Sequence, residues 1–137
     1  MATILAHIVV RPGTEERFEA IARELHESTH RHETDVLRYE YWRGAQPRRY
    51  YTLLSFTDEH GFLDHQVSEH HEDAGRQLGD VIESIDLEWV DPVDGAADLP
   101  RTVALAVPED ASERWLAYHA RQGVAEADWW ATLRSGG

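Results

Sequence analysis

Histidine is the residue through which this chain could do most chemistry, since it has nine of them and no cysteine. His26 and His30 stand at i, i+4, the helical spacing that sets two imidazoles side by side, with Glu33 one turn further on. Such a pair could take a divalent metal, but without an accompanying motif it reads as a solvated helix face, and no metal is assigned. His60, His65, His70 and His71 follow at spacings that do not converge on one helical face. His7 interrupts an apolar run, so its ring must face either a cavity or a hydrogen-bonded core or interface. The absence of Cys removes thiolate nucleophiles, disulfides, Cys-ligated zinc and iron–sulfur clusters. No Gly-x-Ser-x-Gly surrounds any serine and no Gly-x-Gly-x-x-Gly occurs, so neither a serine nucleophile nor a tightly held nucleotide or flavin is indicated, and no cofactor is expected.

These groups need a scaffold, and the periodicities supply one. Ile4 to Val10 is short, β-branched and apolar, and Arg11-Pro12-Gly13-Thr14 ends it. Phe18, Ile21, Ala22 and Leu25 then recur at three and four residues, predicting a helix to about Arg31 with Glu15 and Glu16 in its first turn. Val36 to Arg43 alternates, with Leu37, Tyr39 and Tyr41 expected on one face and Arg38, Glu40 and Trp42 on the other. After a turn at Gly44 to Pro47, Arg49 to Phe56 reads as the returning strand of a hairpin. Its residues Thr52, Leu54 and Phe56 share a face, which with Trp42 could line a flat aromatic pocket or simply pack the core. Asp58 can cap a helix containing Phe62, Leu63 and Val67; a further helical stretch carries Ala74, Leu78, Val81 and Ile82, and Ile85 to Val90 alternates as a fourth strand.

The order β-α-β-β-α-β predicts an α+β, ferredoxin-like antiparallel sheet with helices on one face, over residues 1–92. Apolar or aromatic residues on both faces of the first three strands predict a homodimer in which two sheets meet as a dimeric α/β barrel. Residues 93–137 read as a linker and a C-terminal helical extension, with a short strand at Thr102 to Val107 and a helix at Glu109 to Arg121. Trp115, Trp129 and Trp130 are expected to dock this extension on its own domain or on the partner subunit.

A chain of 137 residues, 42% apolar and 28% charged, suits one globular domain with a real core. Its 26 acidic residues against 13 arginines give a net charge of −13, which disfavours nucleic acid and anionic membranes as partners. No apolar run approaches the roughly 20 residues that span a bilayer, and the N-terminus has no basic preface or cleavage site, so a cytoplasmic location is expected.

Residues Ile4 to Val90 resemble the antibiotic biosynthesis monooxygenase family. The resemblance rests on the strand entering Val10-Arg11-Pro12-Gly13, on Val36-Leu37-Arg38-Tyr39-Glu40, and on Phe56-Thr57-Asp58-Glu59 leading to His65, Ser68 and His70, spaced as His, two residues, Ser, one residue, His. Departures from the family pattern are Asp35 for Gly, Ser55 for Glu and Phe56 for Trp. The cofactor-free anthrone oxygenases of this family carry Asn, Trp, Tyr and Arg where this chain has Thr52, Phe56, Phe62 and Arg76, so only the Arg is kept. Heme-degrading relatives use side chains at positions held here by Ala6, His65 and Gly75, none of which matches, and this disfavours heme breakdown.

The resemblance implies a cofactor-independent monooxygenase whose partners are a quinol-like or polycyclic aromatic small molecule and dioxygen. It implies His65 as base and Arg76 as oxyanion donor, with His7, Trp42, Thr52, Phe56 and Phe62 around the substrate. An isomerase or cyclase on the same barrel, or a small-molecule-binding protein without catalysis, are the alternatives the residues leave open.

Overall fold

The computed structural model describes residues 1–134. β1 (Ala2–Val10) leads through α1 (Glu15–His32) to the hairpin of β2 (Val36–Arg43) and β3 (Arg49–Phe56). Next come α2 (Glu59–Val67), α3 (Glu69–Leu78) and β4 (Ile82–Trp89), and then α4 (Glu113–Gln122) and α5 (Asp128–Arg134). All strand pairs are antiparallel, and the sheet order is β2-β3-β1-β4, so the expected ferredoxin-like α+β fold is the one observed.

Alternation along the strands sorts the two faces. Ala2, Ile4, Ala6, Ile8 and Val10 of β1 and Tyr50, Thr52, Leu54 and Phe56 of β3 are buried, and α1 closes over that face with Phe18, Ile21, Ala22 and Leu25. Removing a large apolar side chain such as Phe18, Phe56 or Phe62 from water contributes about 1.5–3 kcal/mol, and these rings are essentially inaccessible. Leu5, His7, Val9, Tyr51 and Leu53 lie on the opposite face and are partly exposed.

The close seat of α2 on the sheet depends on Gly61. A Cβ there would stand 2.9 Å from the Asp35 Cβ and 3.3 Å from that of Phe56. The helix starts where expected, with the Asp58 carboxylate accepting the Gly61 N–H at 2.9 Å.

Several sequence expectations are corrected. Leu37 is not on the buried face: the register passes from Val36 opposite Phe56 to Arg38 opposite Ser55, so Leu37 is the extra residue of a bulge and is 47% exposed. Val81 and Ile82 do not extend the second helical stretch, because the chain turns at Gly79 and Asp80 and Ile82 already pairs with Val10. Thr102 to Val107 forms no strand. It runs along the domain on single hydrogen bonds, from Val103 N to the Met1 carbonyl and from Leu105 N to Glu59. The helix expected from Glu109 starts at Glu113, capped by Ser112, and α5 follows it.

The extension docks on its own domain. Trp115 is buried beside α2 and donates through Nε1 to Asp64 at 2.9 Å, while Arg134 reaches Asp91, Glu126 and the Thr102 carbonyl. Among the described residues no helix is long and apolar enough to cross a membrane.

Candidate functional site

A cavity of about 520 Å³ lies between the buried face of the sheet and the helices. Its origin is legible in one row of residues across the strands. Leu87, Ala6, Thr52 and Tyr41 are successive cross-strand neighbours, with the two small side chains in the middle and large ones at the ends. Ala6 and Thr52 form the cavity floor, and Phe18, Leu25, Phe62 and Tyr39 border it while staying almost fully buried. The Thr52 hydroxyl is buried and has no hydrogen-bond partner, so the apolar floor carries one unsatisfied polar group.

The helices add the titratable groups. Ser68 separates α2 from α3, donating to the His65 carbonyl at 2.7 Å and accepting the His71 N–H, and this break brings His71 to the cavity wall beside Gln66. The His71 Nδ1 lies 3.1 Å from the Gln66 carbonyl, which can only accept, so Nδ1 carries the proton and Nε2 is the free acceptor of the neutral ring. Burial, followed by the nearby His65, pushes the His71 pKa down to about 3. From α4 come Tyr118, Arg121 and Gln122, the last hydrogen-bonded to Gln66 across the cavity rim. The Arg121 guanidinium lies 4.9 Å from the centre of the Tyr118 ring. Arranged this way, the site offers an aromatic-sized apolar space, a neutral imidazole acceptor and a cation.

Behind His71 lies a second histidine cluster. Glu33, just past the end of α1, holds His65 Nδ1 at 2.8 Å and His70 Nε2 at 2.5 Å with the same carboxylate oxygen. Burial opposes the charge on Glu33, but the two imidazoles outweigh it and hold the carboxyl below its ordinary range. Among the described residues this is the donor set that could take a divalent ion. Its separations are those of hydrogen bonds, shorter than the roughly 3.3 Å between ligands bound to one tetrahedral zinc at about 2.0–2.1 Å.

The sequence model of the antibiotic biosynthesis monooxygenase family matches residues 1–77. The chain belongs to the antibiotic biosynthesis monooxygenase family. Solved structures share its fold at low identity. A candidate antibiotic biosynthesis monooxygenase from Bacteroides thetaiotaomicron has 20% identity and a TM-score of 0.66, over 72% of this chain and 94% of its own. A Pseudomonas aeruginosa protein has 22% identity and a TM-score of 0.62, over 67% and 93%. One from Mycobacterium tuberculosis has 18% and 0.63, over 70% and 98%. No curated protein matches the chain in sequence. The family match ends inside α3, so α4 and the cavity residues it supplies lie outside it.

Of the residues expected at the site, Thr52 and Phe62 line the cavity. Phe56 is fully buried behind it, with ring centres 5.9 Å from Phe62 and 5.4 Å from His65. His65 is also fully buried, packed on Tyr39 and 4.7 Å from the His71 ring, and its Nε2 has no partner. His7 faces away, on the open side of the sheet, 3.1 Å from Glu88 and edge-on to Tyr51. Trp42 is 59% exposed and borders a separate open groove of about 610 Å³ between α1 and β2, where Glu19, Arg43 and Tyr50 bind one another. Arg76 points outward from α3 and pairs with Asp73. His26 and His30 stack on each other, and Glu33 is turned away to His65 and His70. His71, Tyr39, Tyr41, Arg121 and Gln122 escaped the sequence reading. The bulge at Leu37 fixes where the two tyrosines face, and α4 reaches the cavity only through long-range docking.

Proposed function

We propose that the chain is a cofactor-independent monooxygenase that uses dioxygen to oxidise a quinol-like or polycyclic aromatic small molecule, and that it works as a homodimer. The observation that carries the reading is an aromatic-sized cavity in a member of this family, with a neutral histidine acceptor on its wall and an arginine at its rim. Electron-rich carbanions and phenolates react with dioxygen themselves, so the protein has to remove a proton, hold the anion and exclude water.

For an anthrone-like methylene, His71 Nε2 takes one proton as the enolate forms beside it, the developing anion lifting the low pKa that burial imposes on the ring. The resulting carbanion reduces dioxygen and forms a carbon–oxygen bond. The imidazolium returns its proton to the distal oxygen, giving a hydroperoxide. Loss of the second methylene proton with cleavage of the O–O bond then gives the carbonyl and releases water, so one dioxygen supplies one oxygen to product and one to water. Arg121, in place of Arg76, stabilises the oxyanion. His65 holds the position of the His71 ring from behind. The partly exposed sheet face of Leu5, Val9, Tyr51 and Leu53 is the surface for the second subunit.

Oxygen uptake with anthrone and with 1,4-dihydroxynaphthalene tests the activity. Wild type should consume dioxygen, His71→Phe should fall by about a hundredfold or more, and Arg76→Ala should match wild type. No uptake by wild type overturns the reading, and equal product formation under nitrogen replaces it with proton-transfer chemistry. Sedimentation should give a dimer that Leu53→Asp separates; a wild-type monomer overturns that part.

A further inference from the structure

We infer that α4 makes the cavity selective for aromatic ligands bearing a carboxylate, with Arg121 as the group that binds it. The inference rests on the cavity being a small-molecule site and goes beyond the oxygenation chemistry proposed for it.

The helix is held firmly enough to place a side chain. Trp115 anchors it to Asp64, the Trp89 Nε1 donates to the Gly123 carbonyl at 3.0 Å, and the Val124 N–H reaches buried Glu59 at 2.8 Å. Arg121 thus projects from a docked helix and lines the cavity rim. Its charge is uncommitted. Arg17, Arg38, Arg43, Arg48, Arg76, Arg114 and Arg134 each hold a carboxylate, and of the remaining arginines Arg121 is the one that lines this cavity. Among the described residues Arg121 pairs with none, and its contacts are the Ala117 carbonyl at 3.4 Å and the Tyr118 ring. Stacking on Tyr118 leaves the planar edge of the guanidinium free, and that edge matches a carboxylate with two parallel hydrogen bonds. Asp86, on the β4 edge, is the acid among the lining groups; it forms no ion pair with Arg121 and would repel a ligand carboxylate. Apart from Thr52, Gln66, His71 and Gln122 the rest of the wall is aromatic and aliphatic, so the ligand that satisfies it is a fused or substituted aromatic acid.

Calorimetry on the full chain, with 1-hydroxy-2-naphthoate and 1-naphthol as matched probes, tests this without dioxygen chemistry. The naphthoate should bind about tenfold more tightly, the gain of one charge-assisted contact at a solvated rim. Arg121→Gln should erase the difference, Arg121→Lys should keep part of it, and Asp86→Asn should tighten naphthoate binding. Equal affinities, no naphthoate binding, or a preference that survives Arg121→Gln each overturns the inference. Carboxylate selectivity without any oxygen uptake would leave it standing and remove only the oxygenase reading, whereas uptake without selectivity would do the reverse.

Discussion

The carboxylate of Glu33 sits between two imidazoles and gives the same oxygen to both, at 2.8 Å from His65 Nδ1 and 2.5 Å from His70 Nε2. One side chain thereby ties the end of α1 to α2 and α3, the two helices that carry the cavity's polar wall. Glu33→Ala should leave a fully buried His65 with both ring nitrogens unsatisfied and cost about 1–3 kcal/mol. Urea denaturation checks this; a variant as stable as wild type would show that the shared oxygen is incidental.

Protonation of His71 should govern stability in mild acid. Its folded pKa of about 3 lies below the ordinary 6.5, because burial and the neighbouring His65 and His70 disfavour the cation. Below pH 6.5 the unfolded chain takes up a proton that the folded chain refuses. The contribution is therefore complete above pH 6.5 and is lost as pH falls toward 3, with a limiting slope of about 1.4 kcal/mol per pH unit. His71→Phe should remove that slope from stability measured between pH 4.5 and 7.5. Parallel curves for the two proteins would contradict it.

Replacing Thr52 should raise stability without a cost in binding. Its hydroxyl is buried with no partner, so Thr52→Val removes an unsatisfied group at nearly constant volume. The variant should match or exceed wild type in thermal stability, by up to about 1–3 kcal/mol, with its affinity for 1-naphthol unchanged. A clear loss of stability would mean that the hydroxyl has a structural partner.

Gly61→Ala should be disproportionately harmful for a single methyl group, since the added Cβ would stand 2.9 Å from Asp35 and 3.3 Å from Phe56. Overpacking of this kind costs roughly 1–3 kcal/mol, and the displaced α2 should weaken naphthol binding as well. A helix-propensity gain with no loss of melting temperature would contradict the close packing.

Much of the fold was legible because local pattern and tertiary environment agree. Alternation in Val36 to Arg43 and Arg49 to Phe56 gave both hairpin strands their observed limits, and Asp58 caps the helix that its spacing predicts. The pattern failed where one residue breaks the period, as Leu37 does, or where a segment is held by scattered hydrogen bonds, as Thr102 to Val107 is. The site was harder to read. The family-like His65 marked the right helix break, but the ring on the cavity wall belongs to His71, and which of two nearby imidazoles reaches a cavity depends on the Ser68 turn. Arg76 and Arg121 are both helical arginines in acidic surroundings, and only docking of α4 separates one on the cavity rim from one in solvent.

Glu59 ties the history of the two halves of the chain together. Its buried carboxylate accepts the N–H groups of Leu105 and Val124, both supplied by the extension. Replacing the acid while the extension stays docked would leave the Leu105 and Val124 N–H groups without their acceptor, whereas shedding the extension would remove the segments that lie against the carboxylate and return it to water. The dependence runs one way: with the extension docked the acid cannot be discarded alone, while lineages that lack the extension are free to vary this position.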